Sequence, residues 1–146
     1  MKVRGFTLIE IAIVIAIVGL LALISIPSFN KFLAKAKRTE AYMNLNAIAT
    51  AQKVYRAEHG TYTTDLKALG WQPEGTLHYS YGFGGAEGTN YVGGSLGASA
   101  QAMSTGNAGA DAFTAVAAGD IDGDGEPDII TINQNNEVKI VQDDLE

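Results

Sequence analysis

At 146 residues the chain has room for one globular unit plus a long helix, so one domain is the natural count. It has no cysteine; the disulfides that hold many small exported domains are excluded, and its C-terminal region needs another device or is loose. Behind the net charge of −6, residues 1–67 carry nine Lys/Arg against four Asp/Glu and residues 68–146 carry one against twelve, which speaks against a nucleic-acid surface in the second half and favours cations there.

The first thirty residues organise the rest. Lys2 and Arg4 form a short basic head, and an apolar run starts at Phe6, broken by one carboxylate, Glu10. Residues 11–30 carry no charge, and a helix of that length spans about 30 Å, the hydrocarbon thickness of a bilayer. A cleaved secretory signal fits poorly, because its apolar core is about 7–15 residues long and ends in a small-x-small site. A plain single-span anchor covers the hydropathy but leaves Glu10 unexplained, since an isolated carboxylate in hydrocarbon costs several kcal/mol. Basic residues flank the run on both sides, with Lys31, Lys35, Lys37 and Arg38 after it, so they do not orient it.

Gly5-Phe6-Thr7-Leu8-Ile9-Glu10, placed after a basic leader and before the apolar run, resembles the class III signal of type IV prepilins and pseudopilins. The resemblance implies that a membrane peptidase cuts between Gly5 and Phe6, that residues 1–5 are a leader, and that Phe6 is N-methylated as the new first residue. It implies a membrane and filament-core half over residues 6–27, and a periplasmic, later extracellular, head over residues 28–146. Glu10 becomes the family's glutamate, pairing with the Phe6 amine of a neighbour or of its own chain; a role in peptidase recognition alone stays open. The implied partners are copies of the chain in a helical homopolymer, the peptidase, the inner-membrane assembly machinery, and lipid before assembly. Pili of this family serve attachment, twitching motility and DNA uptake, and pseudopilins serve protein secretion. The resemblance is strong over residues 1 to about 60 and looser beyond.

After Pro27 the pattern becomes amphipathic: Phe29, Phe32, Leu33, Ala36, Ala41, Leu45, Ile48, Gln52 and Tyr55 form a stripe spaced mostly by three or four. The spacing predicts one helix from about Phe6 to His59, capped by Gly60. Gly19 and Pro27 are its weak points, as a poor helix former and a residue lacking a backbone donor. The resemblance implies that the stretch between them loosens or extends in a filament; simple tolerance in a membrane helix is the alternative. Residues 60–71 read as a loop and a helical turn capped by Thr63 or Thr64 and ended by Gly70, with Leu66, Leu69 and Trp71 returning to the core. Residues 76–83 alternate, with Leu77, Tyr79, Tyr81 and Phe83 on the buried face of a strand and His78 on the outward face. Residues 84–109, rich in Gly, Ala and Ser, read as an ordered or mobile surface loop too poor in large apolar groups to form its own core.

A strand over residues 113–118 leads into Asp120-Ile121-Asp122-Gly123-Asp124-Gly125-Glu126-Pro127-Asp128. Calcium takes six to eight hard oxygens, and loops of the EF-hand type place carboxylates at positions 1, 3 and 5 with glycine at 6. The match runs from Asp120 through Asp122 and Asp124 to Gly125; Glu126 and Asp128 complete the expected Ca2+ ligand set, while Thr131 stands where an EF-hand has its bidentate glutamate. Five carboxylates in nine residues repel unless a cation neutralises them, and the alternative is a soluble acidic turn. Residues 129–133 and 137–141 form a last hairpin.

The expected fold is α+β, a long N-terminal helix packed by its second half on a small antiparallel sheet. The expected function is structural, with no catalytic residues: no nucleophile with its base and no phosphate loop is present. The alternatives are a pseudopilin and a membrane-anchored calcium-binding module that does not polymerise.

Overall fold

The computed structural model describes residues 5–144, apart from the side chains of residues 26–28 and 30. Leader residues 1–4, the Pro27 ring and the last two residues of the acidic tail lie outside the described residues. α1 (Leu8–His59) is the one α-helix among them. It begins at a reciprocal cap: the Thr7 Oγ1 accepts from the Glu10 N–H at 3.3 Å, and the Glu10 Oε2 accepts from the Thr7 N–H at 2.8 Å and hydroxyl at 2.7 Å. It runs through Gly19 and Pro27 without a break and ends as expected, the Gly60 N–H donating to the Arg56 carbonyl at 2.8 Å.

The chain divides into two units, one up to Leu33 and one from Ala34. In the first, every described side chain is exposed. Phe29, Phe32 and Leu33, expected to open the buried stripe, are 60, 68 and 43% exposed. The stripe starts later, at Ala34, because nothing else in the described first unit packs on those three.

In the second unit, Ala34, Ala41, Leu45, Ile48, Ala49 and Gln52 are the buried positions of the helix. Gln52 is tolerated there because its amide holds the returning chain, donating to the Thr63 carbonyl and accepting from the Thr63 N–H. Asp65, rather than Thr63 or Thr64, caps the turn that follows: its Oδ1 accepts from the amides of Lys67 and Ala68. Leu66 is buried, and Leu69 and Trp71 pack against the core from its margin.

The sheet is antiparallel, β1 (Ser80–Gly82), β2 (Tyr91–Val92), β3 (Asn107–Ala108), β4 (Phe113–Gly119), β5 (Asp128–Asn133) and β6 (Val138–Gln142), in the order β2-β1-β4-β5-β6 with β3 also on β4. One core joins Phe113, Ala115, Ala117, Ile130 and Ile132 to the helix stripe and to Leu77, Tyr79, Tyr81 and Phe83. Burying each of the large apolar side chains among them contributes about 1.5–3 kcal/mol. The alternation over residues 76–83 thus identified the buried face, but only three residues join the ladder. Before Ser80 the backbone bonds elsewhere: the His78 N–H donates to Glu40, and the carbonyls of Leu77 and His78 accept from Ser95 and Leu96.

The glycine-rich segment takes the ordered of its two expected forms and is built into the fold. Tyr91 and the fully buried Met103 join Val116 and Ala118 in a second, smaller core. Its glycines let the backbones close: a Cβ at Gly106 would lie 2.8 Å from the Phe83 Cα. β6 is an edge strand, with Val138, Ile140 and Val141 exposed.

Candidate functional site

Three groups of residues carry chemistry. The first is the N-terminal segment. Gly5, Phe6 and Thr7 precede the helix in irregular backbone, and Phe6 is 85% exposed, so the Gly5–Phe6 peptide lies outside regular hydrogen bonding. Leu8–Ser25 is long and apolar enough to cross a membrane, and among the described residues none buries it. Gly19 lies open on this stretch. The Thr7-x-x-Glu10 pattern of a capping box was available in the sequence and names Thr7 as the residue that holds Glu10 in the unpaired chain.

The second group anchors helix to sheet inside the second unit. Arg38 reaches Asp128 through two bonds, Nη2 to Oδ1 at 2.7 Å and Nε to Oδ2 at 3.1 Å, and reaches Asp143 through Nη2. Asp128 is fully buried and also accepts from the Tyr79 hydroxyl at 2.6 Å. Burial alone would weaken the guanidinium's charge, but Asp143 and Asp128 hold the proton and push its pKa up. Burial, reinforced by Asp128, likewise pushes the Tyr79 phenol up. Lys37 donates to the Ile121 carbonyl at 2.9 Å. Two of the basic residues that follow the apolar run therefore hold their own chain's acidic segment. The separation of 90 positions between Arg38 and Asp128 leaves no sequence signal for this pair.

Next to it, Glu40 accepts from the His78 N–H at 3.0 Å and the Tyr81 hydroxyl at 2.8 Å, and pairs with His78 Nδ1. His78, expected on the outward face, is turned onto the helix by this carboxylate. Burial would raise the Glu40 pKa, yet the hydrogen bonds from His78 and Tyr81 outweigh it and hold the carboxyl below its ordinary value of 4.5. A carboxyl that ionises more easily folded than unfolded stabilises the fold above its unfolded pKa, and that contribution is lost as pH falls through the folded value. Glu40→Gln is accordingly expected to lose about 1–2 kcal/mol at pH 7. The gap to wild type should close as pH falls below 4.5. Thermal melts of both proteins across pH check this, and a gap independent of pH contradicts it.

The third group is the acidic loop between β4 and β5. Asp120 accepts from the amides of Gly123 at 2.7 Å and Gly125 at 3.0 Å, Asp122 from that of Asp124, and Asp124 from that of Glu126. Gly125 has φ +96°, the left-handed turn expected of it. Asp120, Asp122 and Asp124 come together with Asp144, one carboxylate oxygen of each lying within 4.8 Å of the others. Asp144 has no spacing relation to the motif and left no signal in the sequence. Burial pushes its carboxyl up, the Ile121 and Asp122 amides draw it back in part, and the charges of Asp122 and Asp124 add to the rise. The structure does not place Glu126 or Asp128 in this group: Glu126 accepts from the Gln142 side chain, and Asp128 faces Arg38 and Tyr79.

Comparison with known proteins bears on residues 1–139. The prokaryotic N-terminal methylation motif matches residues 1–26, the family described as type IV minor pilin ComP, DNA uptake sequence receptor, matches residues 27–120, and the FG-GAP repeat matches residues 112–139. The chain is 47% identical over 85 residues to the type IV major pilin protein PilA of Myxococcus xanthus, covering 58% of this chain and 39% of that one. It is 35% identical over 78 residues to the type IV major pilin protein PilE of Neisseria gonorrhoeae, covering 53% and 47%. These matches span less than half the length of either relative. The methylation motif lies on the Gly5–Glu10 hexamer and the ComP match covers most of the helix and sheet that pack together, so the chain belongs to the type IV pilin family.

Proposed function

We propose that this chain is a structural subunit of a type IV pilus filament. It is held in the inner membrane as a single-pass protein, cut between Gly5 and Phe6, methylated at Phe6, and then added to a surface filament by an assembly machine. One observation carries the reading: behind a processing motif stands an apolar helical stretch, Leu8–Ser25, that the described residues leave uncovered. Lipid covers such a surface before assembly and neighbouring copies cover it afterwards, so the apolar burial that the monomer forgoes becomes the drive to polymerise.

The pilus proteins named above favour a pilin over a pseudopilin. The DNA uptake sequence receptor of the matched family's description is a weaker guide to this head, whose residues 68–146 hold twelve Asp/Glu against one Lys/Arg and would repel a phosphate backbone. Attachment or motility suits that surface better. The test is the amino terminus of the polymerised chain, which this reading fixes at Phe6; an uncut chain that stays monomeric in the membrane would favour the anchored module.

A further inference from the structure

We propose that Asp120, Asp122 and Asp124, together with Asp144, form a Ca2+ site that ties the β4–β5 loop to the C-terminal segment. The acidic cluster alone would not carry this. What carries it is Asp144 itself, which is 7% exposed and whose Oδ1 is buried without a hydrogen-bond partner. Its other oxygen is already committed to the loop, accepting from the amides of Ile121 at 2.8 Å and Asp122 at 3.3 Å. Asp144 is thus a buried carboxylate with one oxygen lacking a donor, grouped with three further carboxylates. Polar groups in such positions need a partner, and a cation supplies it for all four at once.

The chemistry of the site selects the ion. All four donors are hard oxygens, and their mutual span of 4.8 Å fits oxygens on opposite sides of an ion bound at about 2.3–2.6 Å, the range of Ca2+, whereas Mg2+ demands about 2.0–2.1 Å and near-ideal octahedral order. Asp120 shapes the loop by accepting from the amides of Gly123 and Gly125. The ligand set differs from the local motif at its end: Asp144 replaces Glu126 and Asp128. The ion therefore closes a connection between segments about twenty residues apart, beside the Arg38–Asp143 contact, where a chain without cysteine has no disulfide to use.

Calorimetric titration of the full chain in detergent micelles, stripped with chelator, tests this with Ca2+ and Mg2+ as the probes, alongside thermal melts. One Ca2+ per chain is expected, with a dissociation constant of about 10⁻⁴–10⁻³ M as in extracellular modules, weaker Mg2+ binding, and a melting temperature that rises with Ca2+. Asp144→Asn should weaken Ca2+ binding at least about tenfold, and Asp122→Asn, at an exposed position that does not threaten folding, should do the same. Glu126→Gln should bind as wild type. No Ca2+ binding by wild type, equal melting in Ca2+ and chelator, wild-type affinity in Asp122→Asn or in a folded Asp144→Asn, or affinity lost in Glu126→Gln would each overturn the proposal.

Discussion

Arg38→Ala is expected to lower the melting temperature of the second unit by roughly 10–20 °C, the largest stability effect of any single side chain described above. Asp128 is fully buried at the start of β5 and its two oxygens receive the guanidinium from the helix. Truncating the arginine leaves a buried carboxylate with only the Tyr79 hydroxyl and the Asp144 amide as donors. Breaking a buried pair from one side costs about 3–5 kcal/mol, chiefly through the charge left behind, and for a unit of this size about 4 °C accompanies each kcal/mol. The cause can be separated from lost packing. Arg38→Met combined with Asp128→Leu removes both charges and keeps much of the volume, so it should recover a large part of the loss. Calorimetry of the full chain in detergent decides: an Arg38→Ala protein melting within about 2 °C of wild type would show that the pair does not hold helix to sheet.

The second large effect falls on assembly rather than stability. Glu10→Gln is expected to be processed normally and to reduce surface filaments by about tenfold or more, since an unpaired Phe6 ammonium beside the filament core is left without its counter-charge. In the single chain the Glu10 carboxylate is occupied by Thr7, so an alanine at this position would also lose a helix cap worth about 0.5–2 kcal/mol. Glutamine keeps the acceptor that the cap needs and removes only the charge. Sheared-filament yield, read beside the ratio of cut to uncut chain in the membrane, separates the roles. Normal filament yield from Glu10→Gln would remove charge pairing from the assembly mechanism. An accumulation of uncut chain would assign Glu10 to peptidase recognition.

What the sequence disclosed follows the range of the interactions. The helix could be read almost to the residue, because its cap, its stripe and Gly60 are all local. So could the hydrophobic face of residues 76–83 and the β5–β6 hairpin, whose turn bonds lie within Asn133 to Glu137. The buried stripe was begun too early because Phe29, Phe32 and Leu33 have the right period, and period alone does not say whether a covering element is present. Residues that meet across the fold were not legible. Arg38 and Asp128, Glu40 and His78, and Asp144 and the acidic loop are brought together by sheet order, which no spacing rule encodes. Whether the glycine-rich segment is ordered or mobile could not be read for a related reason: it needs few large side chains because Tyr91 and Met103 pack on a face that β4 already supplies.

The most direct measurement is the intact mass and N-terminal sequence of the chain recovered from filaments sheared off its native cells. A polymer whose chains begin at Phe6 and carry one added methyl is the expected result, and it establishes processing, membrane history and assembly in one sample. A chain that still begins at Met1, found in the membrane fraction and absent from any sheared polymer, would contradict the filament function.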